Sequence, residues 1–496
     1  MSPGLILICI ATYFFILLAI AWYTGRNTGS EGYFLGNKAS PWIAVAFGMI
    51  GDSLSGVTFI SVPGAVGLSQ FSYMQLVFGY FFGYIVITQV LLPLYYRMNL
   101  TSIYSYLGER MGSYAEKTGA FYFILSRTLG AAARLYLAAL VLQVFVFDHF
   151  HVPFGISVSL IIFLMLAYTF RGGIKTLVWT DAFQSTFLLL GVILSIFAIG
   201  NSLDLSVFQM AGKIADSDLS TTFFWDWREK NFFFKQFFGG MFIAIAMTGL
   251  DQNMMQKNLS CRSLPDAQKN IRWFSLVLVI VNVFFLSLGV LLYLFVSEKG
   301  IQVPLNADGK VITDKLFPVL ALEHLGIFAG LAFIVGLTAA TFSSADSVLT
   351  TLTTSFYYDF LGLHKRTDKS EKEKAGLRTA IHIMFAVILL MVILLFRILN
   401  NQAIIDTVLW LAGYTYGPLL GLFAFGILTR HGINDKWVPV VALVSPGLTF
   451  LLEKFSPVLL NGYKFGNEIL LLNGLITFSL LYMVSRFFSP PGPEKT

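Results

Sequence analysis

Long apolar runs separated by short polar connections repeat along the whole chain, and the stretch from Ser53 to Tyr96 carries no charged residue. Roughly 20 apolar residues of helix cross a bilayer, so a run of that length holds more than one crossing. The pattern predicts about thirteen helical spans, at 3 to 25, 41 to 66, 71 to 96, 119 to 147, 154 to 170, 177 to 200, 236 to 256, 273 to 297, 324 to 357, 377 to 399, 403 to 428, 437 to 453 and 468 to 487. Two of them, five spans apart, are interrupted at mid-membrane. The second carries Gly48, Gly51, Asp52, Ser53, Ser55 and Gly56, and the seventh carries Gly239, Gly240, Thr248, Gly249 and Asp251. Paired interruptions of this kind are the sequence sign of inverted repeats with broken helices. The backbone carbonyls freed at a break cannot face lipid, so they line a cavity or hold a cation. Small residues also let helices pack closely, which is the plainer reading of either span alone.

Composition agrees with the pattern, since 56% of the 496 residues are hydrophobic and 12% are charged. A soluble chain of this length needs far more charge to cover its surface. The net charge of +6 does not point to nucleic acid, because the lysines and arginines sit in short connections between spans. With the N-terminus outside and the C-terminus inside, inner loops hold roughly twice as many of them as outer loops. Lys257 to Arg272 and His364 to Arg378 both count as inner loops. The first segment, Pro3 to Gly25, lacks a basic leader and is too long for a signal-peptide core, so it reads as a retained helix. Cys9 and Cys261 are too few and too far apart for a disulfide framework.

In the ninth span Ala340, Ser343 and Ser344 stand at i, i+3 and i+4, which puts one carbonyl and two hydroxyls on a single helical face. Gly51, Leu54 and Ser55 repeat the spacing at the second span's break. Neutral oxygens on two such faces suit a small hard cation. Serines that bond the preceding turn, or that knit helices together, would show the same spacing.

The stretch Gly172-Gly-Ile-Lys-Thr-Leu-Val-Trp-Thr-Asp-Ala-Phe-Gln184 resembles the GG...WTDxxQ signature of the sodium/solute symporter family, whose members carry glucose, proline, sialic acid, iodide and vitamins with sodium. Tyr33 to Trp42, Thr248 to Lys257 and Tyr414 to Gly421 agree with the family in order, so the resemblance runs from about residue 30 to 430. It implies an all-α membrane protein with a LeuT-type core of two inverted five-helix repeats. The expected organisation is a peripheral N-terminal helix at 1–30, a first repeat at 31–200, an outer loop at 201–235, a second repeat at 236–430 and two peripheral helices at 431–496. The resemblance also implies a main sodium site made by the carbonyls of Gly51, Leu54 and Ala340 and the hydroxyls of Ser343 and Ser344. Asp181 of the signature serves a second sodium in some members. Here Ser55 is grouped with it, for two sodium ions per solute.

Arg134, in Gly130-Ala-Ala-Ala-Arg-Leu-Tyr136, lies deep in the fourth span behind small residues. Sialic acid carriers of the family place an arginine in the corresponding helix against the substrate carboxylate, and a guanidinium fork suits that task. An internal ion pair is the alternative. Asp52 departs from the family, where a small neutral residue is usual, and is open to three readings: an amine partner, a proton acceptor or the partner of Arg134. Asp52, Ser53, Gln75 and Arg134 form the candidate substrate set. Arg127, His382, Asp406, His149 and His151 read as structural or solvated.

The expected function is therefore sodium-coupled import of a small organic solute across a cell membrane by alternating access, with an amino acid, carboxylate or sugar acid favoured. Proton coupling through Asp52, or a sensor built on a transporter scaffold, are the competing readings. None of GxSxG, HExxH or GxxxxGK occurs, which argues against an enzyme. The bilayer and the solute are the expected partners, with no protein partner evident and no place for nucleic acid.

Overall fold

The computed structural model describes residues 2–25, 30–306, 309–399 and 404–487. Residue 403, the start of the eleventh expected span, and residues 488–496 of the expected C-terminal segment lie outside them. Among the described residues every regular element is helical. The membrane-crossing helices are labelled α1 (Pro3–Thr24), α2 (Trp42–Ser53), α3 (Gly56–Ser69), α4 (Tyr73–Arg97), α5 (Ser113–Phe150), α6 (Phe154–Thr169), α7 (Gly173–Ser202), α8 (Phe233–Gly249), α9 (Gln252–Leu259), α10 (Leu264–Lys299), α11 (Gly326–Phe360), α12 (Glu371–Leu399), α13 (Ile404–Leu428), α14 (Val438–Leu459) and α15 (Ile469–Phe487). Taking α2 with α3 and α8 with α9 as single bent crossings, these occupy the thirteen expected positions.

Both expected breaks are present. Helices α2 and α3 meet at 54° and α8 and α9 at 61°. The first break is made by Leu54, with ψ at 67°, and Ser55, with ψ at 174°; neither is helical. Ser55 therefore does not continue the face of Gly51 and Leu54, contrary to the i, i+3, i+4 reading. At the second break Asp251 leaves the helical region and caps α9, its carboxylate accepting the Met254 N–H at 3.1 Å. Such a cap contributes about 1 kcal/mol, which helps a short buried helix begin where a longer one has stopped.

Large apolar side chains stay exposed on the outer helices, among them Phe15, Phe163, Leu443 and Val458. In water they would be a liability; along a bilayer they are the lipid-facing surface. The interior buries polar residues among the apolar ones, and α11 is buried without a break from Gly336 to Ser355. Helix α7 joins α6 at Gly173, where φ is +53° and an added Cβ would lie 2.3 Å from the Tyr33 carbonyl. Only glycine fits that corner. The signature's second glycine thus lets the segment after α1 close onto the core. Cys9 and Cys261 are both free, and burial pushes the Cys261 thiol up to about 12.

Candidate functional site

The break between α2 and α3 packs against α7 and α11 with almost no clearance. A Cβ on Gly51 would stand 2.5 Å from Ser343 Oγ and 2.6 Å from Ser185 Oγ, and one on Gly56 would stand 2.6 Å from Thr341 Oγ1. The Gly51 N–H donates to Ser185 Oγ at 2.8 Å, and that hydroxyl donates to the Phe47 carbonyl at 2.5 Å. Gly51 and Ser343, predicted on separate helices to serve one ion, are therefore neighbours. The predicted site asks only a backbone carbonyl of Gly51, which any residue could supply. The structure corrects this, because the space for a side chain is filled by two hydroxyls.

The two predicted ligand serines differ. Ser344 Oγ donates to the Thr341 carbonyl at 3.1 Å, the back-bonding that its spacing also allowed. Ser343 Oγ is buried without a hydrogen-bond partner among the described residues. A buried, unpartnered hydroxyl costs about 1–3 kcal/mol, so a missing partner is the economical explanation of its retention. Together with the carbonyls freed at the break it makes an oxygen-only donor set, the kind a sodium ion accepts. Ala340 is fully buried on the same helix, one turn before Ser343.

Asp181 lies beside Gly48, whose added Cβ would be 3.2 Å from the Asp181 Cβ. Its Oδ2 accepts from Ser347 Oγ at 3.0 Å and from Lys257 Nζ at 2.5 Å. No hydrogen bond joins it to Ser55 among the described residues. The Lys257 ammonium also holds Asp52 Oδ2 at 2.5 Å, and Asn253 Nδ2 donates to that same oxygen at 3.2 Å. All three charged side chains are at most 1% exposed. Lys257 had been counted as part of an inner loop, yet it stands in the core on α9. The alternative of an Asp52–Arg134 pair is likewise corrected, since Asp52 pairs with Lys257.

Arg127 is the structural residue it was read to be. Its guanidinium grips Asp251 through Nε at 2.6 Å and Nη2 at 2.7 Å, and the Tyr416 hydroxyl donates to the same carboxylate at 2.6 Å. Breaking such a buried pair costs about 3–5 kcal/mol. Arg134, two turns further along α5, makes no hydrogen bond or ion pair among the described residues, and its electrostatic neighbours include Arg127, Asp251 and Asp52. Ser53 beside Asp52 is half-buried. Gln75 is not brought to this group, because its amide bonds the carbonyls of Ser72 and Asn231 and accepts from the Phe224 N–H, tying down the connection before α8.

Asp346 escaped sequence reasoning altogether. It is fully buried on α11, accepting from Tyr168 Oη at 2.7 Å and from the Ser347 N–H at 2.5 Å, so Ser347 bridges Asp346 and Asp181. An ionisable residue inside an otherwise uncharged span was the available signal for it. His382, read as structural, is held by Thr169 and Thr353 at 3.1 and 3.0 Å.

A cavity of about 1280 Å³ runs in from one end of the bundle, lined among others by Ser69, Tyr73, Leu129, Lys230, Asp406 and Glu453. At the opposite end aromatic rings pack together. There Phe34 lies between Tyr357 and Tyr358 at centroid distances of 5.1 and 4.9 Å, and its carbonyl accepts from Gln256 Nε2 at 2.6 Å.

Comparison with known proteins agrees with this architecture. A family model described as the sodium:solute symporter family matches residues 33–434. The sodium/sialic acid symporter NanT of Aliivibrio fischeri is 25% identical over 452 residues, covering 88% of this chain and 86% of that protein. The sodium-coupled monocarboxylate transporter 1 of Homo sapiens is 26% identical over 420 residues, covering 82% of this chain and 65% of that protein. A solved substrate-bound, outward-open sialic acid symporter matches 98% of both chains with a TM-score of 0.83 at 20% identity. A nucleobase-cation-symport-1 family transporter in a closed conformation matches 93% of this chain and 95% of its own with a TM-score of 0.52 at 13% identity. The fold is thus the LeuT type, with the two bent crossings as the broken helices of its repeats.

Proposed function

The chain belongs to the sodium:solute symporter family, and from that premise we propose that it couples the entry of sodium to the import of a small solute bearing a carboxylate. The observation that carries the sodium half is the buried, unpartnered Ser343 hydroxyl facing Gly51 at a helix break. We assign the main ion to the Gly51, Leu54 and Ala340 carbonyls with Ser343 and Ser344. The solute half rests on Arg134, a half-buried guanidinium deep in α5 with no acceptor among the described residues, which a ligand's carboxylate would complete. A carboxylate on a sugar acid or a simple organic acid would supply that partner, as the names of the relatives suggest.

Charge supports a second ion. Asp52 and Asp181 share a single ammonium, Lys257, and Asp346 joins the same cluster through Ser347, so buried carboxyl groups outnumber the cation there. Two sodium ions would offset them, with Asp181 and Ser347 as the polar groups nearest the second. With the N-terminus outside, the open cavity faces outward and the Phe34 end faces the cytoplasm, so the chain stands ready to receive solute. The repeat boundaries at 31–200 and 236–430, flanked by peripheral helices, follow from the same reading.

The test is thermal stability of the purified protein against sodium, with sialic acid and lactate as probes. Sodium should raise Tm, and either probe should raise it further only when sodium is present. Sodium dependence of solute uptake should show a Hill coefficient above one that falls toward one in Asp181→Asn. A Tm indifferent to sodium would end the symport reading, and a coefficient of one in the native chain would end the second ion.

Arg134→Lys separates the two roles of its side chain. The charge is kept and the fork is lost, so affinity for the carboxylate probe should fall about tenfold or more while sodium affinity holds. Unchanged probe affinity with a lowered Tm would make Arg134 structural.

A further inference from the structure

We infer that Lys257 links the sodium end of the site to the solute end: a cation arriving at Asp181 drives the ammonium fully onto Asp52, and a solute carboxylate at Arg134 then no longer meets an unbalanced charge. This rests on the symport reading and deepens it. The geometry is that of a shared cation. Lys257 Nζ lies 2.5 Å from one oxygen of each carboxylate, while the other oxygen of each, Asp52 Oδ1 and Asp181 Oδ1, is buried and has no partner among the described residues. The three groups are therefore one positive charge short of balance, with an open acceptor at either end.

Position decides which end takes which ligand. Asp181 borders α2 at Gly48, one turn from the Gly51–Ser343 contact, and its bound Ser347 lies one turn beyond Ser343 on α11. A sodium ion there would stand within a few ångströms of the ammonium, and two like charges at about 4 Å in a poorly screened interior repel by several kcal/mol. The lysine has somewhere to go. Its flexible stem carries three rotatable donors, Asp52 already holds it, and Asn253 donates to the same oxygen, so the shift needs no backbone motion. At the other end Asp52 and Arg134 influence each other electrostatically without pairing. A carboxylate arriving at Arg134 while Asp52 is half-compensated meets repulsion, which full capture of the ammonium removes. Sodium then favours the solute and, by reciprocity, the solute favours sodium.

Asp52→Asn in the full-length chain tests this, because Asp52 is a ligand of neither sodium nor solute in the proposal. Without its second carboxylate the ammonium stays on Asp181, so sodium affinity, read from sodium-dependent Tm with no solute present, should weaken about fivefold or more. Affinity for sialic acid at low sodium should move the opposite way and tighten, which a damaged fold would not produce. In Lys257→Gln the same Asp52→Asn change should lose most of its effect on sodium. Lys257→Arg preserves the charge, but its planar fork can grip both carboxylates at once, so sodium should weaken there as well. An additive double-mutant cycle, or unchanged sodium affinity in Asp52→Asn, would overturn the link while leaving symport standing. A native chain whose Tm ignores sodium would instead overturn the symport reading beneath it.

Discussion

Gly51→Ala is expected to abolish sodium-dependent stabilisation and sodium-driven uptake together. The added methyl would stand 2.5 Å from Ser343 Oγ and 2.6 Å from Ser185 Oγ, distances that no real Cβ tolerates. Either α2 retreats from α7 and α11, or both hydroxyls rotate away. Rotation of Ser185 breaks its bonds to the Gly51 N–H and the Phe47 carbonyl, and rotation of Ser343 takes away the proposed ligand. Overpacking of this kind costs about 1–3 kcal/mol of fold stability, which a membrane domain of this size can absorb. The sodium site cannot absorb it, since a ligand shell loses its ion when it opens by a fraction of an ångström. The measurement is Tm with and without sodium. A small drop in the sodium-free value with no sodium response is the expected pair. A variant that keeps the full sodium response would show that the ion does not bind at this contact.

That glycine illustrates how far the sequence could be read. The break itself was legible, because glycine, serine and aspartate in mid-membrane are hard to place in an unbroken span. What the break touches was not. Spacing along one helix says nothing about the neighbour that fills the space above a glycine, so the need for Gly51 was missed although its role was proposed. Lys257 was lost for a related reason. Hydropathy ends a span at the first lysine after an apolar run, and charge counting then assigned it to an inner loop. The bend at Leu250 and Asp251 instead starts a new helix, α9, which carries Lys257 back into the core. Arg127 was placed correctly as structural, yet its partner Asp251 lies 124 residues away and could not be inferred from one sequence. Gln75 failed in the opposite direction, grouped with the solute set from the sequence when its amide is spent on the connection before α8.

Ser343→Ala is expected to weaken sodium affinity about tenfold or more, a change of about 1.4 kcal/mol, without destabilising the sodium-free protein. The two halves of that expectation come from one fact: the native hydroxyl has no partner among the described residues. Most buried serine substitutions break a hydrogen bond and lower stability. This one removes a polar atom left unsatisfied, so the sodium-free Tm should hold or rise slightly. Ser344→Ala should behave differently, losing a bond to the Thr341 carbonyl along with a ligand, and so weakening sodium while lowering the sodium-free Tm. Ser355, about three turns further along α11, lies outside the proposed face, and its hydroxyl donates to Asp359 at 2.7 Å. Ser355→Ala should therefore cost stability and leave sodium affinity untouched, the reverse of the Ser343 result. Because coupling is reciprocal, the weaker ion in Ser343→Ala must also appear as weaker solute binding at fixed sodium, restored when sodium is raised. Native sodium affinity in Ser343→Ala would remove the hydroxyl from the ion's shell and, with it, the assignment of the main site to this pair of helices.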